Sequence, residues 1–340
     1  MFGVPTVRVL SFHAGYACKH TGRCCASDWP IAVDADHAAR LHDVLAVAGV
    51  EHHPEGVILL ARDRGTCVFR DQHSAGGCRI QRSLGEAAVP LECRQFPRQS
   101  VSDPRGTSVT LSHYCPTARA QLEADTGAVT IRTGAPGFPV SGEYVGLQAN
   151  PDLPPLLHPR CVLDWIQWWA IEAAAVALVT AMPDTALPRL ALAVESLRTW
   201  QPSSLPLRDA VHRAFDLAAV ERLPPWVPSE ALLTSHRADL QVAIPRAWQA
   251  QADTALSTRH PPLAGPTFGR FLAAHVFANW AAYTGHGLRT WYRSIEAAGC
   301  LVWRTGDPGA ADLVLRHLAD SSALIARWSL AERSPVIRRP

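Results

Sequence analysis

The chain has almost no lysine. Of its 32 cationic residues only Lys19 is a lysine, and the rest are arginine. That skew reads first as genomic composition bias, so the number of arginines carries no functional argument. Methionine is scarce too, with two residues, which excludes a methionine-rich copper site. Neither sign of charge dominates: 32 cationic against 30 anionic side chains leave a formal net charge of +2. Such a balance gives no electrostatic footprint for nucleic acid or an anionic membrane. The first 17 residues carry Arg8 inside an apolar run and lack a basic segment leading into a hydrophobic one. No targeting segment is therefore expected. One apolar run, residues 165–182, has the length of a membrane span. It contains Gln167 and Glu172 and is rich in alanine, so a buried helix and a cytoplasmic protein are expected. No repeat with a period of 20–50 residues is visible.

What is present is a globular composition. Hydrophobic residues make up 48% and charged residues 18%, which excludes wholesale disorder. A length of 340 residues suits two domains and buries ample core without disulfides or metal. The unusual residues are unevenly spread. Cys18, Cys24, Cys25, Cys67, Cys78, Cys93 and Cys115 all precede residue 116, whereas every tryptophan except Trp29 follows residue 160. Between these regions, residues 134–159 are rich in proline and glycine and read as a linker. The expected organisation is a cysteine-cluster metal-binding domain over residues 1–133, that linker, and a helical domain over residues 160–340. The expected fold class is α+β: a small, loop-rich mixed domain followed by a mostly α-helical one.

Residues 4–12, 57–61, 107–111 and 128–132 read as strands. Residues 34–48 read as an amphipathic helix. Asp34 is its cap, Ala38, Leu41, Leu45 and Ala48 share a face, and Gly49 stops it. Helices are expected over 161–181, 187–199, 207–223, 229–256, 268–298 and 310–333. Pro245 should kink or split the fourth, and Gly285 and Gly287 should bend the fifth.

In a reducing compartment, clustered cysteines are metal ligands rather than disulfides. Thiolates select zinc, iron–sulfur clusters or Cu(I). The pattern opens with C-x5-C-C over residues 18–25 and continues with four single cysteines. It has no paired C-x2-C, as zinc ribbons have, and no C-x2-C-x2-C ferredoxin run. It also lacks the C-x3-C-x2-C of a radical cluster loop. Gly22 and the Gly76-Gly77 pair let the backbone approach a metal closely. Cys24 and Cys25 are hard to aim at one metal atom, because successive side chains diverge. One ligates while the other packs, serves a second metal or is redox-active. Seven thiols exceed the four that one centre needs, so either two metals bind or some cysteines are structural.

The order C-x5-C-C, Trp29, C-x-F, G-C-x-I and C-R-x-F-P-R, spanning residues 16–116, resembles the YkgJ-like cysteine-cluster proteins, described as zinc- or iron-chelating. Cys115-Pro116-Thr117-Ala118-Arg119 and the long helical region are similar to the flagellin lysine-N-methylase (FliB) branch. The resemblance implies that Cys18, Cys24, Cys25, Cys67, Cys78, Cys93 and Cys115 hold an iron–sulfur cluster (4Fe-4S) or zinc. It also implies methyl transfer from S-adenosylmethionine to the lysines of a flagellin-like protein. Arg94, Phe96, Pro97 and Arg98 match the segment after the sixth cysteine. Arg94 and Arg98 are expected as a cationic edge facing the thiolates or a cofactor or substrate carboxylate. No glycine-rich nucleotide loop follows a strand, and residues 134–139 read as linker. S-adenosylmethionine would therefore bind outside a Rossmann fold, with its amino and carboxylate groups on a cluster iron. Two other classes remain: a non-enzymatic module that stores, delivers or senses zinc or iron, and a redox protein cycling Cys24 and Cys25.

His73 and His113 lie near cysteines and are candidates to replace a thiolate. His52-His53 and His275 read as structural. Asp164, Glu172 and Glu195 are candidates for a pocket, with satisfied helix charges as the default. Cys161 and Cys300 read as buried apolar thiols. Trp29 reads as a core aromatic or a shield for the cluster.

Overall fold

The structure, a computed structural model, describes residues 6–27, 29–45, 49–52, 57–71, 77–124, 127–138, 144–201 and 203–333. It is α+β, with small sheets near the N-terminus and mainly helices afterwards. The principal sheet has five strands in the order Leu147–Gln148, Arg98–Asp103, Gly106–Leu111, Val7–Leu10 and Ile131–Thr133. Strands Arg98–Asp103 and Gly106–Leu111 form an antiparallel hairpin, and Val7–Leu10 runs parallel to the latter. Gly106 closes the hairpin at φ 107°, where a Cβ would stand 2.2 Å from the Thr6 carbonyl oxygen, so only glycine fits.

Side-chain alternation gives this sheet two unlike faces. Val7, Val9, Val109 and Leu111 bury into a small core with Tyr16, Cys115, Ala118 and Phe138. Leu10 and Val101 turn the other way, into the large core of the helices. Two polar side chains of this hairpin reach the helices. The Thr110 hydroxyl donates to the Ala274 carbonyl at 3.0 Å. Arg105, in the hairpin turn, pairs with buried Glu172 at 2.7 Å.

Between strands Val7–Leu10 and Arg98–Asp103 the chain makes an excursion with its own core of Ile31, Leu41, Leu60, Phe69, Ile80 and Val89. Helix Ala35–Leu45 starts where expected, with the His37 amide donating to Asp34 Oδ1 at 2.8 Å. Ala38 and Leu41 are buried on the expected face; the Leu45 side chain and residues 46–48 lie outside the described residues. The excursion also holds a three-stranded sheet, the hairpin Arg62–Asp63/Thr66–Cys67, and the short helices Arg79–Leu84 and Leu91–Gln95.

The stretch expected as linker carries Leu147–Gln148, which extends the principal sheet, and Leu156–His158, which pairs with Cys161–Val162. The first long helix therefore begins at Trp165, later than expected. A capping box sets that start: the Gln167 amide donates to Asp164 Oδ1 at 2.7 Å, and the Asp164 amide to Gln167 Oε1 at 2.9 Å. Among the described residues no single helix is long and apolar enough to cross a membrane. Helix Trp165–Ala181 instead buries Trp168, Ile171 and Val179 inside the protein, each worth about 1.5–3 kcal/mol.

The region 229–256 divides at Pro245 into Glu230–Ala243 and Gln249–Ser257, as the proline demands. The region 268–298 divides more widely than a glycine bend. Helix Gly265–Val276 ends before Ala278, which adopts φ 54°, and Leu288–Thr305 starts after Gly287. The last expected helix is likewise broken, with Asp320 capping a new helix Ser321–Ser329.

Candidate metal centre

All seven expected ligands, Cys18, Cys24, Cys25, Cys67, Cys78, Cys93 and Cys115, line one cavity of about 310 Å³. They reach it from separate elements. Cys18 lies in the loop after Tyr16, and Cys24 and Cys25 open the 3-10 turn Cys24–Ala26. Cys67 ends a hairpin strand, Cys78 precedes helix Arg79–Leu84, and Cys93 sits within Leu91–Gln95. Cys115 precedes helix Pro116–Ala124. Gly22 takes φ 70° beside Cys24, the backbone freedom its position suggested.

Burial pushes the Cys67 thiol up to about 11. It also raises Cys78 and Cys93. For Cys25 the largest cause is the hydrogen bond with Cys24, followed by burial. Cys67, Cys25 and Cys78 each raise Cys93 further, and Cys25 and Cys78 act on Cys67. These four thiols are within electrostatic reach of one another. Cys18 and Cys115 act on Tyr16 instead, whose phenol is raised first by its own burial. The Tyr16 hydroxyl lies 3.7 Å from Cys115 Sγ.

Arg94 and Arg98 both line the cavity, joined by Arg23 and Arg62. Arg98 is held in place: it donates to the Arg94 carbonyl at 3.0 Å and to the Gly137 carbonyl at 3.3 Å. Its guanidinium lies 5.6 Å from the Tyr16 ring centroid and 5.5 Å from that of Phe138. Arg62 donates to the Ser27 carbonyl at 2.7 Å, tying the Cys24–Ala26 turn to the hairpin. Glu86 and Glu92 add two carboxylates to the lining. Four cations can offset part of the charge on a thiolate-bound metal.

Among the described residues no three Cys, His, Asp or Glu side chains converge closely enough to hold a single metal ion. A tetrahedral zinc site with Zn–S of about 2.3 Å would draw its sulfurs to roughly 3.8 Å apart. Among the described residues one thiol pair lies within 4.0 Å, Cys24 and Cys25, and these are successive residues. A polynuclear centre binds each thiolate to a different iron and so spreads the sulfurs more widely. The seven thiols that line this cavity are the side chains that would hold a zinc ion or an iron–sulfur cluster.

Trp29 lines the cavity and is stacked on His317 at 4.7 Å, with Tyr114 5.4 Å and Phe96 5.6 Å away. It acts as a wall of the site as well as a packing aromatic. His113 is not part of the lining. It is fully buried, with Nδ1 2.9 Å from Asp312 Oδ2 and Nε2 3.2 Å from His13 Nε2. His275 packs structurally as expected, 2.7 Å from Asp312 Oδ1. His53, His73 and Gly76 lie outside the described residues.

The three helix carboxylates are spoken for. Asp164 caps, Glu195 binds Arg289 at 2.5 Å, and Glu172 is buried against Arg105 and the Ala278 amide. Cys300 is buried, but Cys161 is half-exposed, because it lies on the short strand Cys161–Val162 instead of a helix. Sequence reasoning missed Tyr16, Arg23, Arg62, Glu86 and Glu92 as lining residues. Only adjacency to a cysteine marked Arg23 and Glu92, and nothing in the sequence marked Arg62 or Glu86.

No protein-family model matches the chain, and no curated protein and no solved structure matches it significantly.

Proposed function

We propose that this chain is a thiolate-ligated metal-cluster protein that methylates lysines of a flagellin-like protein from S-adenosylmethionine. The observation that carries the metal part is the meeting of seven cysteines from separate segments at one cavity. The methyl-transfer part rests on the resemblance of the cysteine order, including Cys115-Pro116, to the lysine-N-methylase branch. Cys18, Cys24, Cys25, Cys67, Cys78, Cys93 and Cys115 are the ligand pool.

The chain's own residues suit the remaining tasks. Methyl transfer needs a neutral lysine amine. Ile31, Leu60, Ile80 and Val89 on the cavity wall desolvate an incoming amine, and Arg23, Arg62, Arg94 and Arg98 repel its charged form. Both effects lower its pKa. Glu86 and Glu92 line the same cavity and would be the groups to take the proton it loses. Arg98, fixed by its two carbonyl contacts, is the rim cation for a carboxylate. Reduced thiols require a reducing compartment, which the cytoplasm provides.

The test uses protein purified without oxygen. Its visible spectrum and its iron, sulfide and zinc contents are measured on one sample, followed by calorimetry with S-adenosylmethionine. Matched iron and sulfide with broad visible absorption, and binding of the cofactor, are expected. A colourless protein with stoichiometric zinc and no cofactor binding would replace this reading with that of a metal-handling module.

A further inference from the structure

Cys67, Cys78 and Cys93 pack against one small core, that of the excursion, beside Phe69 and Ile80. Backbone pairing locks the first two together: the Asp71 amide donates to the Gly77 carbonyl at 2.7 Å and the Arg79 amide to the Phe69 carbonyl at 2.8 Å. The Cys24–Ala26 turn packs on the strand that carries Cys67, which brings Cys25 to the same side. Cys115 belongs to a different core, under the principal sheet, beside Tyr16. Cys18 is exposed and accepts a hydrogen bond from the His20 amide at 3.4 Å.

We propose that the seven cysteines divide four and three: Cys25, Cys67, Cys78 and Cys93 ligate one iron–sulfur cluster, and Cys18, Cys24 and Cys115 stand outside that ligand set. This rests on the metal-cluster reading and goes beyond it by choosing the ligands. It also resolves the adjacent pair. Cys25 is near enough to act on the three core thiols, whereas Cys24 acts on Tyr114, whose ring centroid lies 5.0 Å from the Arg23 guanidinium. Cys24 lies 4.0 Å from Cys25, but it is Cys25 that acts on Cys67, Cys78 and Cys93.

Two measurements on full-length protein purified without oxygen test the division. The first treats the metal-loaded protein with iodoacetamide under native conditions and maps the modified cysteines by mass spectrometry, with iron measured alongside. Cys18 should be alkylated without loss of iron, while Cys25, Cys67, Cys78 and Cys93 stay protected until the metal is chelated. The second compares iron and sulfide in Cys18→Ser, Cys24→Ser and Cys115→Ser with Cys25→Ser, Cys67→Ser, Cys78→Ser and Cys93→Ser. The first group should keep the wild-type content, and the second should lose most of it. Circular dichroism separates loss of ligand from loss of fold, and the alkylation map on the wild type stands whatever the variants do. Protection of Cys18, or loss of iron in step with its alkylation, overturns the division while the cluster stands. Wild-type protein free of iron and sulfide overturns both.

Discussion

At the scale of single residues, the cavity favours neutral thiols in the metal-free protein. Cys67 is pushed up to about 11 by burial, and Cys78 and Cys93 are raised for the same reason. A metal binds the thiolate, so loading must expel a proton from each raised thiol. Raised pKa values mean that more metal binds as pH rises. Competition of zinc or Fe(II) against a chelator, corrected for the chelator's own protonation, should show affinity increasing from pH 6 to pH 8.5. The expected slope is about one decade per pH unit for each proton released. A flat profile would mean that these cysteines are not the ligands. A second residue, Glu172, is fully buried and holds Arg105 at 2.7 Å, with Arg8 at 3.6 Å. Neutralising it with Glu172→Gln leaves one buried carboxylate, Asp103 at 2.6 Å from Arg105, against the two guanidinium groups of Arg8 and Arg105. The loss should be about 3–5 kcal/mol, read as a lower urea midpoint.

At the scale of elements, close helix contacts decide what substitutions the core tolerates. Gly269 sits where helix Gly265–Val276 crosses Trp165–Ala181, and a Cβ there would stand 2.8 Å from the Val179 carbonyl oxygen. Gly269→Ala gains about 1 kcal/mol of helix propensity. The overlap is with backbone, which cannot rotate away, and overpacking costs about 1–3 kcal/mol. A net loss of stability is expected in thermal unfolding, and a rise in melting temperature would contradict the packing described. Element signals in the sequence were unequal for physical reasons. Pro245 removes a helix hydrogen bond, so its break was legible. The break at Ala278 was not, because alanine does not announce a positive φ. Strand Arg98–Asp103 carries one large apolar residue, Val101, and buries Ser100 through its neighbours; no alternation was there to read. The seven cysteines that line the cavity were legible as one group, because their chemistry and their crowding before residue 116 are properties of the sequence itself. Their packing was not, because only the fold sets Cys67, Cys78 and Cys93 against one core and Cys115 against another.

At the scale of the whole molecule, one buried network ties the sheet's end to the helices. Asp312 lies 2.9 Å from His113 Nδ1, 2.7 Å from His275 Nε2 and 3.1 Å from Arg316 Nε, and it accepts from the His113 amide at 2.5 Å. His317, next in sequence to Arg316, bonds Ser112 Oγ at 2.8 Å and stacks on Trp29 at the cavity wall. Burial lowers His13 and His113 and brings His275 and His317 down to about 4. The unfolded chain takes up protons at these histidines near pH 6.5, while the folded one resists until about pH 4. Between those values the unfolded state binds more protons, so stability is complete above pH 6.5 and falls as the pH drops. Asp312, held well below the usual carboxylate range by Arg316 and His275 against the cost of its burial, extends the loss to lower pH. His275 and His317 should each contribute on the order of 3 kcal/mol across that window. Metal-free protein unfolded in urea should show its midpoint dropping steadily from pH 7 to pH 4.5. His317→Gln keeps a hydrogen-bonding group toward Ser112 but cannot charge, and should flatten the profile. Equal slopes in wild type and variant would remove His317 from the account. Because His113 lies at the end of the sheet and Asp312 among the helices, acid should loosen both regions in one transition. Tryptophan fluorescence, dominated by residues after 160, should then move together with the accessibility of the cysteines in the first 115 residues.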